Sequence, residues 1–187
     1  MGSTGVRGVL IRYMDTTQKS PRYLAQINRA QKIRQDAMTG DYSSSQLAER
    51  YGLAIVTSNK ILAGTRCKNG ASAPICARDI RTRKLASQVA LYHAMGITYR
   101  EAGEVLGLCE TWANAIGLRF LRGEIEPFNA TVRVRFKATG KTFDVVRIDG
   151  SDVMLIPSDD PKALPETVTI ESLIGMVQPV PISSENA

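Results

Sequence analysis

Apolar residues recur at helical spacing from Leu24 through Ile27, Ala30 and Ile33 to Ala37, while Arg29, Lys32 and Arg34 fill the remaining positions. The spacing predicts a surface helix over 21–38 with one buried stripe. Ser20-Pro21 suits its start, because the hydroxyl can accept from free N–H groups and proline fits the first helical position. Thr39-Gly40-Asp41 ends it. The serines at 43–45 cap a short second helix, Gln46–Tyr51, Gly52 makes a turn, and a third helix runs from Ile55 to about Ala63, closed by Gly64. The plan then repeats: a helix over 84–95, a break at Gly96, a short helix Tyr99–Leu106, a turn at Gly107 and a last helix Thr111–Leu121, stopped by Gly123 and Pro127. Glycines 52 and 107 occupy equivalent places, so the two trihelical units read as divergent copies of one plan.

Beyond Pro127 the period changes to two. Val132, Val134 and Phe136 alternate with Arg133, Arg135 and Lys137, and after the turn at 138–141 a second run, Thr142–Ile148, is rich in β-branched and aromatic residues. Asp149-Gly150 turns the chain into Val153–Ile156, a proline-bearing loop spans 158–165, and Thr167–Ile170 is a fourth strand. Residues 171–177 read as a helical turn or two. The fold class is α+β: an all-α tandem pair followed by a small antiparallel β-barrel or meander of SH3-like size. The expected organisation is an N-terminal arm (1–19), a first unit (20–65), a basic linker (66–83), a second unit (84–126), a β-rich domain (127–178) and a flexible tail (179–187).

Charge sharpens this division. Of the 187 residues, 1–126 hold 18 Lys/Arg against 10 Asp/Glu, whereas 127–187 hold 6 against 8, giving +8 and −2. A basic helical part joined to a mildly acidic one suggests that only the first is built to sit on a polyanion such as nucleic-acid phosphate. The linker concentrates this charge, which makes it either a solvated connector or an arm along phosphates or a minor groove. Hydrophobic residues at 43% and charged residues at 22% are ordinary for a folded chain. No apolar stretch is long enough to span a bilayer, and Met1–Arg12 is too short and polar for a signal peptide, so no membrane contact and a cytoplasmic, nucleoid-associated location are expected. Three irregularly spaced cysteines, Cys67, Cys76 and Cys109, fit reduced thiols.

Thr98-Tyr99-Arg100-Glu101 has the spacing at which threonine hydroxyl and glutamate carboxylate satisfy each other's backbone donors at a helix start. Ala102-Gly103 offers small residues where helices cross closely, Leu106 and Leu108 flank Gly107, and Ala113 and Ile116 face inward. Thr98 to Ile116 thereby resembles the helix-turn-helix family of DNA-binding domains. Ser44 to Gly64 resembles the same family, with Ala48 at the crossing, Gly52 at the turn, Leu53 beside it and Ile61 buried. It departs at Ser58, where the family usually buries an aliphatic, leaving Val56 or Ile55 to fill the space. The plainer alternative is a helical bundle whose glycines only end helices.

The resemblance implies that the last helix of each unit enters a major groove, where base edges carry a readable pattern of donors and acceptors. It implies base reading by Thr57, Ser58, Asn59 and Lys60 in the first unit and by Glu110, Thr111 and Asn114 in the second. Phosphate contacts fall to Ser44, Arg66, Lys68, Arg78, Arg81, Arg83, Lys84, Arg100, Arg119 and Arg122. Trp112 is read as core or partly buried. The expected function is a sequence-specific, double-stranded DNA-binding regulator of phage or mobile-element type. Its alternatives are a DNA-binding component of a packaging, transposition or replication machine, or a protein-binding modulator of host transcription machinery. The β domain is the expected site of self-association or of a protein partner.

Other motifs fall away. Ala138-Thr139-Gly140-Lys141-Thr142 lacks the earlier glycine of a P-loop, which Arg135 replaces, and joins two strands. Cys67, Cys76, His93 and Cys109 contain no close pair for zinc, and Asp159 with Asp160 sits in a proline-flanked turn. No catalytic constellation, metal site or cofactor is expected.

Overall fold

The computed structural model describes residues 20–66 and 73–182. The arm over 1–19, Cys67, Lys68 and the tail beyond 182 lie outside these residues. The first unit is α1 (Pro21–Met38), α2 (Ser44–Arg50) and α3 (Ile55–Leu62). Ser20 caps α1 by accepting from the Tyr23 N–H, and Ser43 caps α2 in a reciprocal box with Gln46. Ala30, Ile33, Ala37, Leu47, Ile61 and Leu62 form its core. Arg34 on α1 reaches across to donate to the carbonyls of Ile61 (3.0 Å) and Leu62 (2.8 Å), second donors to acceptors that also take the N–H groups of Gly64 and Ile75 at the end of α3.

The second unit is α4 (Ala77–Ala94), α5 (Tyr99–Leu106) and α6 (Glu110–Leu121). Here the linker reading is corrected: α4 begins at Ala77, not near Lys84, so Arg78, Arg81 and Arg83 stand on a helix and not on an extended arm. Arginine is a good helix former and Asp79 in the first turn complements the helix dipole, so the charge that read as solvated connector is compatible with helix. Ala77 is what anchors this end, because it is buried in the core of the first unit.

Farther along, α4 gives Leu85, Ala86 and Val89 to a core shared with Ala113, Ile116 and Ile125. Its last turns give Tyr92 and Met95 to a third core under the sheet. One helix of 18 residues, about 27 Å long at 1.5 Å per residue, therefore runs through all three cores. Two glycines permit the close crossings: a Cβ at Gly103 would lie 2.9 Å from the Leu108 carbonyl oxygen, and one at Gly117 would lie 2.7 Å from the Tyr99 ring.

The sheet comprises β1 (Val132–Phe136), β2 (Thr142–Asp149), β3 (Asp152–Pro157), β4 (Glu166–Thr169) and β5 (Val177–Val180), with the short helix α7 (Ile170–Leu173) before β5. All neighbours are antiparallel in the order β4-β3-β2-β1-β5, an open sheet and not a closed barrel. The expected frayed tail is also corrected at its start. Val177–Val180 pairs with β1, Pro179 opposite Val134, on an edge strand where a residue without an N–H is tolerated.

The sheet shares its core with the second unit. Val132, Val134, Val145, Val153, Leu155, Leu173 and Val177 pack with Tyr92, Met95, Ile97 and Ala102. Three polar ties reinforce the junction: Tyr92 Oη donates to the Arg133 carbonyl (3.1 Å), Gln88 Nε2 to the Thr131 carbonyl (3.0 Å), and the Phe128 N–H to Ser87 Oγ (2.9 Å). Burial pushes the Tyr92 phenol up to about 12, so it is neutral at physiological pH.

Candidate nucleic-acid interface

The two units match at one constant offset along the chain. Leu47 and Ala102, Ala48 and Gly103, Ser58 and Ala113, and Ile61 and Ile116 are corresponding buried pairs. Gly52 and Gly107 are the corresponding turns, with φ of 55° and 68°, a left-handed conformation that glycine adopts without a Cβ penalty. Both second helices carry a complete capping box, Ser43 with Gln46 and Thr98 with Glu101. Hydrogen bonds from Thr98 hold the Glu101 carboxyl below the usual carboxylate range. Each unit thus packs one long helix against a short helix, a tight turn and a third helix, and the third helix is fixed by its buried face.

That buried face sorts the expected base readers. On α3, Ser58, Ile61 and Leu62 point inward. Ser58 is 0% exposed, which corrects its assignment as a base-reading residue: it is the small buried residue matching Ala113, and its Oγ has no hydrogen-bond partner. Neither Ile55 nor Val56 fills space beside it, since they are 51% and 63% exposed. Asn59 and Lys60 are exposed on the outer face, and Thr57 is half-buried with its hydroxyl accepting from Arg66 Nη1 at 3.3 Å. On α6, Ala113, Ile116 and Gly117 point inward, while Glu110, Thr111 and Asn114 are exposed.

The expected phosphate-binding cations differ in how they are held, Arg66 being the one that donates to Thr57 Oγ1. The guanidinium groups of Arg78 and Arg81 make no hydrogen bond or ion pair among the described residues, although the Arg78 carbonyl accepts from Thr82 Oγ1 at 2.9 Å. Arg100, Arg119 and Arg122 are engaged at the surface with Glu104, Glu124 and Glu124, contacts that are weak in water and exchangeable, whereas Arg83, paired with Glu126 and donating to the Pro127 carbonyl, is half-buried with its Nε unpartnered. Lys84 is corrected: its side chain is 19% exposed and its Nζ pairs with Asp41 and donates to the Thr39 carbonyl at 3.1 Å. It ties α4 to the end of α1, where the absence of a side chain at Gly40 lets the Lys84 stem approach. Lys68 lies outside the described residues.

A cleft brings several of these elements together. Its first part, about 230 Å³, is lined by Ser43 and Ser44 at the start of α2, Arg78, Arg81 and Thr82 on α4, and Gly107, Leu108 and Trp112 around the second turn. A second part, about 450 Å³, continues from Arg78, Thr82 and Trp112 to Arg83, Arg119 and Ile125, with Asp79, Glu124 and Glu126 on its walls. The start of α2 in one unit and the turn before α6 in the other therefore meet across two unpaired guanidinium groups. Charge pattern pointed to the arginines; Trp112, read as core or partly buried, is 40% exposed, and its place on the cleft wall was not visible because a lone tryptophan in a helical pattern carries no binding signal. The exposure of Ile55 and Val56 was likewise hidden, since apolar residues beside a turn read as packing. Among the described residues no helix is long and apolar enough to cross a membrane, and no cluster of His, Cys, Asp or Glu could hold a metal ion. No family model, curated protein or solved structure matches this chain.

Proposed function

We propose that this chain is a sequence-specific, double-stranded DNA-binding regulator of phage or mobile-element type that lays α3 and α6 in the major groove. The observation that carries the reading is the cleft in which the first turn of α2 and the turn preceding α6 flank Arg78 and Arg81. In a helix-turn-helix unit those are the ends that approach the DNA backbone, and two unpaired guanidiniums between them suit phosphate oxygens. Asn59, Lys60, Glu110, Thr111 and Asn114 then stand on exposed helix faces with the amide, ammonium, carboxylate and hydroxyl groups that base edges recognise. Arg119 and Arg122 border the phosphate path, and their pairing with Glu124 is exchangeable.

One observation favours a protein partner in addition. The sheet ends in two edges, β4 and β5, that have no further strand among the described residues, and an edge strand is a template for an added one.

The test is selection of a random duplex library on the purified protein at two salt concentrations, followed by sequencing of the retained DNA. Enrichment of a defined site supports the regulator. Salt-sensitive retention without enrichment points to an assembly component that uses DNA only for positioning, and no retention removes DNA as the partner.

A further inference from the structure

The two units match in which positions are buried, and differ in the chemistry they expose. Carried to the outer faces of α3 and α6, the offset that matches Ser58 with Ala113 matches Asn59 with Asn114, Lys60 with Ala115, and Ile55 with Glu110. All six of these side chains are exposed. Only the asparagine is common to both. The frame holding the two faces is continuous, because α4 is buried at Ala77 in the first core and at Leu85, Ala86 and Val89 in the second. Lys84 and Asp41 clamp the same junction.

We infer that a single chain reads a composite, non-palindromic site: two unlike half-sites at fixed spacing that share one adenine. This rests on the DNA-binding reading above. Asparagine pairs in bidentate fashion with adenine N6 and N7, so Asn59 and Asn114 set the shared base. Lys60 adds a donor for guanine O6 and N7 in the first half-site, and Ala115 offers none in the second. Glu110 accepts from cytosine N4 in the second half-site, where the first presents the apolar Ile55. A symmetric dimer reads two copies of one half-site and demands a palindrome. Here α4 stands where a dimer interface would, and divergence between the copies removes the symmetry.

The experiment is the same selection carried out with the full chain and with Asn59→Ala and Asn114→Ala, followed by affinity measurements on the selected duplex with about five base pairs, half a helical turn, inserted between its blocks. Two unlike blocks are expected, each with an adenine. Asn59→Ala relaxes that adenine in one block only and Asn114→Ala in the other, each weakening binding roughly tenfold to a hundredfold. The insertion lowers affinity to that of a single block. An inverted repeat of one sequence, a lone block, both variants relaxing the same position, or indifference to the insertion overturns the inference while leaving DNA binding intact. Absence of duplex binding at either salt overturns it together with the reading on which it rests.

Discussion

Replacing Ser58 with alanine separates a structural from a DNA-reading role at one atom. The residue is 0% exposed on the inner face of α3 and its Oγ lacks a partner, whereas the corresponding position in the second unit is Ala113, equally buried. A hydroxyl taken out of water without a hydrogen bond costs about 1–3 kcal/mol. Alanine is also the better helix former, by roughly 0.5 kcal/mol. Against these stands the loss of packing around one oxygen atom, a void smaller than a methyl group and worth under about 1 kcal/mol. Ser58→Ala is therefore expected to stabilise the protein by about 1–2 kcal/mol. The assay is urea denaturation followed by far-ultraviolet circular dichroism, in which the midpoint rises with unchanged slope. Site preference, measured by selection, stays that of the parent. A midpoint that falls or does not move would refute the reasoning, because it would mean that the hydroxyl is satisfied in the folded state. Relaxed preference at one base with no change in stability would refute the burial argument from the other side, by returning Ser58 to the reading surface.

Other perturbations follow from neighbouring contacts. Arg81→Ala is expected to weaken binding to all duplexes alike and to flatten the plot of log affinity against log salt by about one unit, with no shift in the denaturation midpoint; Lys84→Ala should instead lower that midpoint, through a loss of about 1 kcal/mol of stability, because it removes the tie to Asp41 and Thr39. Gly103→Ala places a Cβ 2.9 Å from the Leu108 carbonyl oxygen and is expected to lose about 1–3 kcal/mol despite the better helix propensity of alanine, as read from thermal unfolding. Tyr92 is held neutral by burial, with its folded value raised to about 12 from the ordinary 10, so its contribution is complete below pH 10 and is lost as pH rises through 12. Unfolding free energies measured from pH 9 to 12 should fall more steeply for the parent than for Tyr92→Phe, the difference reaching about 2–3 kcal/mol; parallel curves would show that the phenol is not shielded.

The helical period of the N-terminal two-thirds, the caps at Ser20 and Thr98, the turn glycines 52 and 107, and the change to a two-residue period at Val132 were all legible in the chain. Each is a local consequence of side-chain chemistry acting on its own backbone: a hydroxyl within reach of an N–H three residues on, a missing Cβ where φ is positive, alternation across a pleat. The charge contrast between the halves was legible for the same reason, since it needs no geometry. What the sequence could not determine depends on contacts between residues distant along it. Arg78 to Arg83 read as linker because charge dominates that stretch; they form the first turns of α4, anchored by the burial of Ala77 against the first unit. Ser58 read as a base-reading residue because serine is polar, even though the motif put it at a usually buried position; the packing of α1 and α2 over α3 decides for burial. Pro179 read as the end of structure, yet β1 supplies an edge on which a proline can pair. The β-rich region read as a separate domain, whereas Tyr92 and Met95 carry α4 into its core. Local interactions chose the elements, and long-range burial chose which of their faces meet solvent and, with them, which residues remain free to touch a partner.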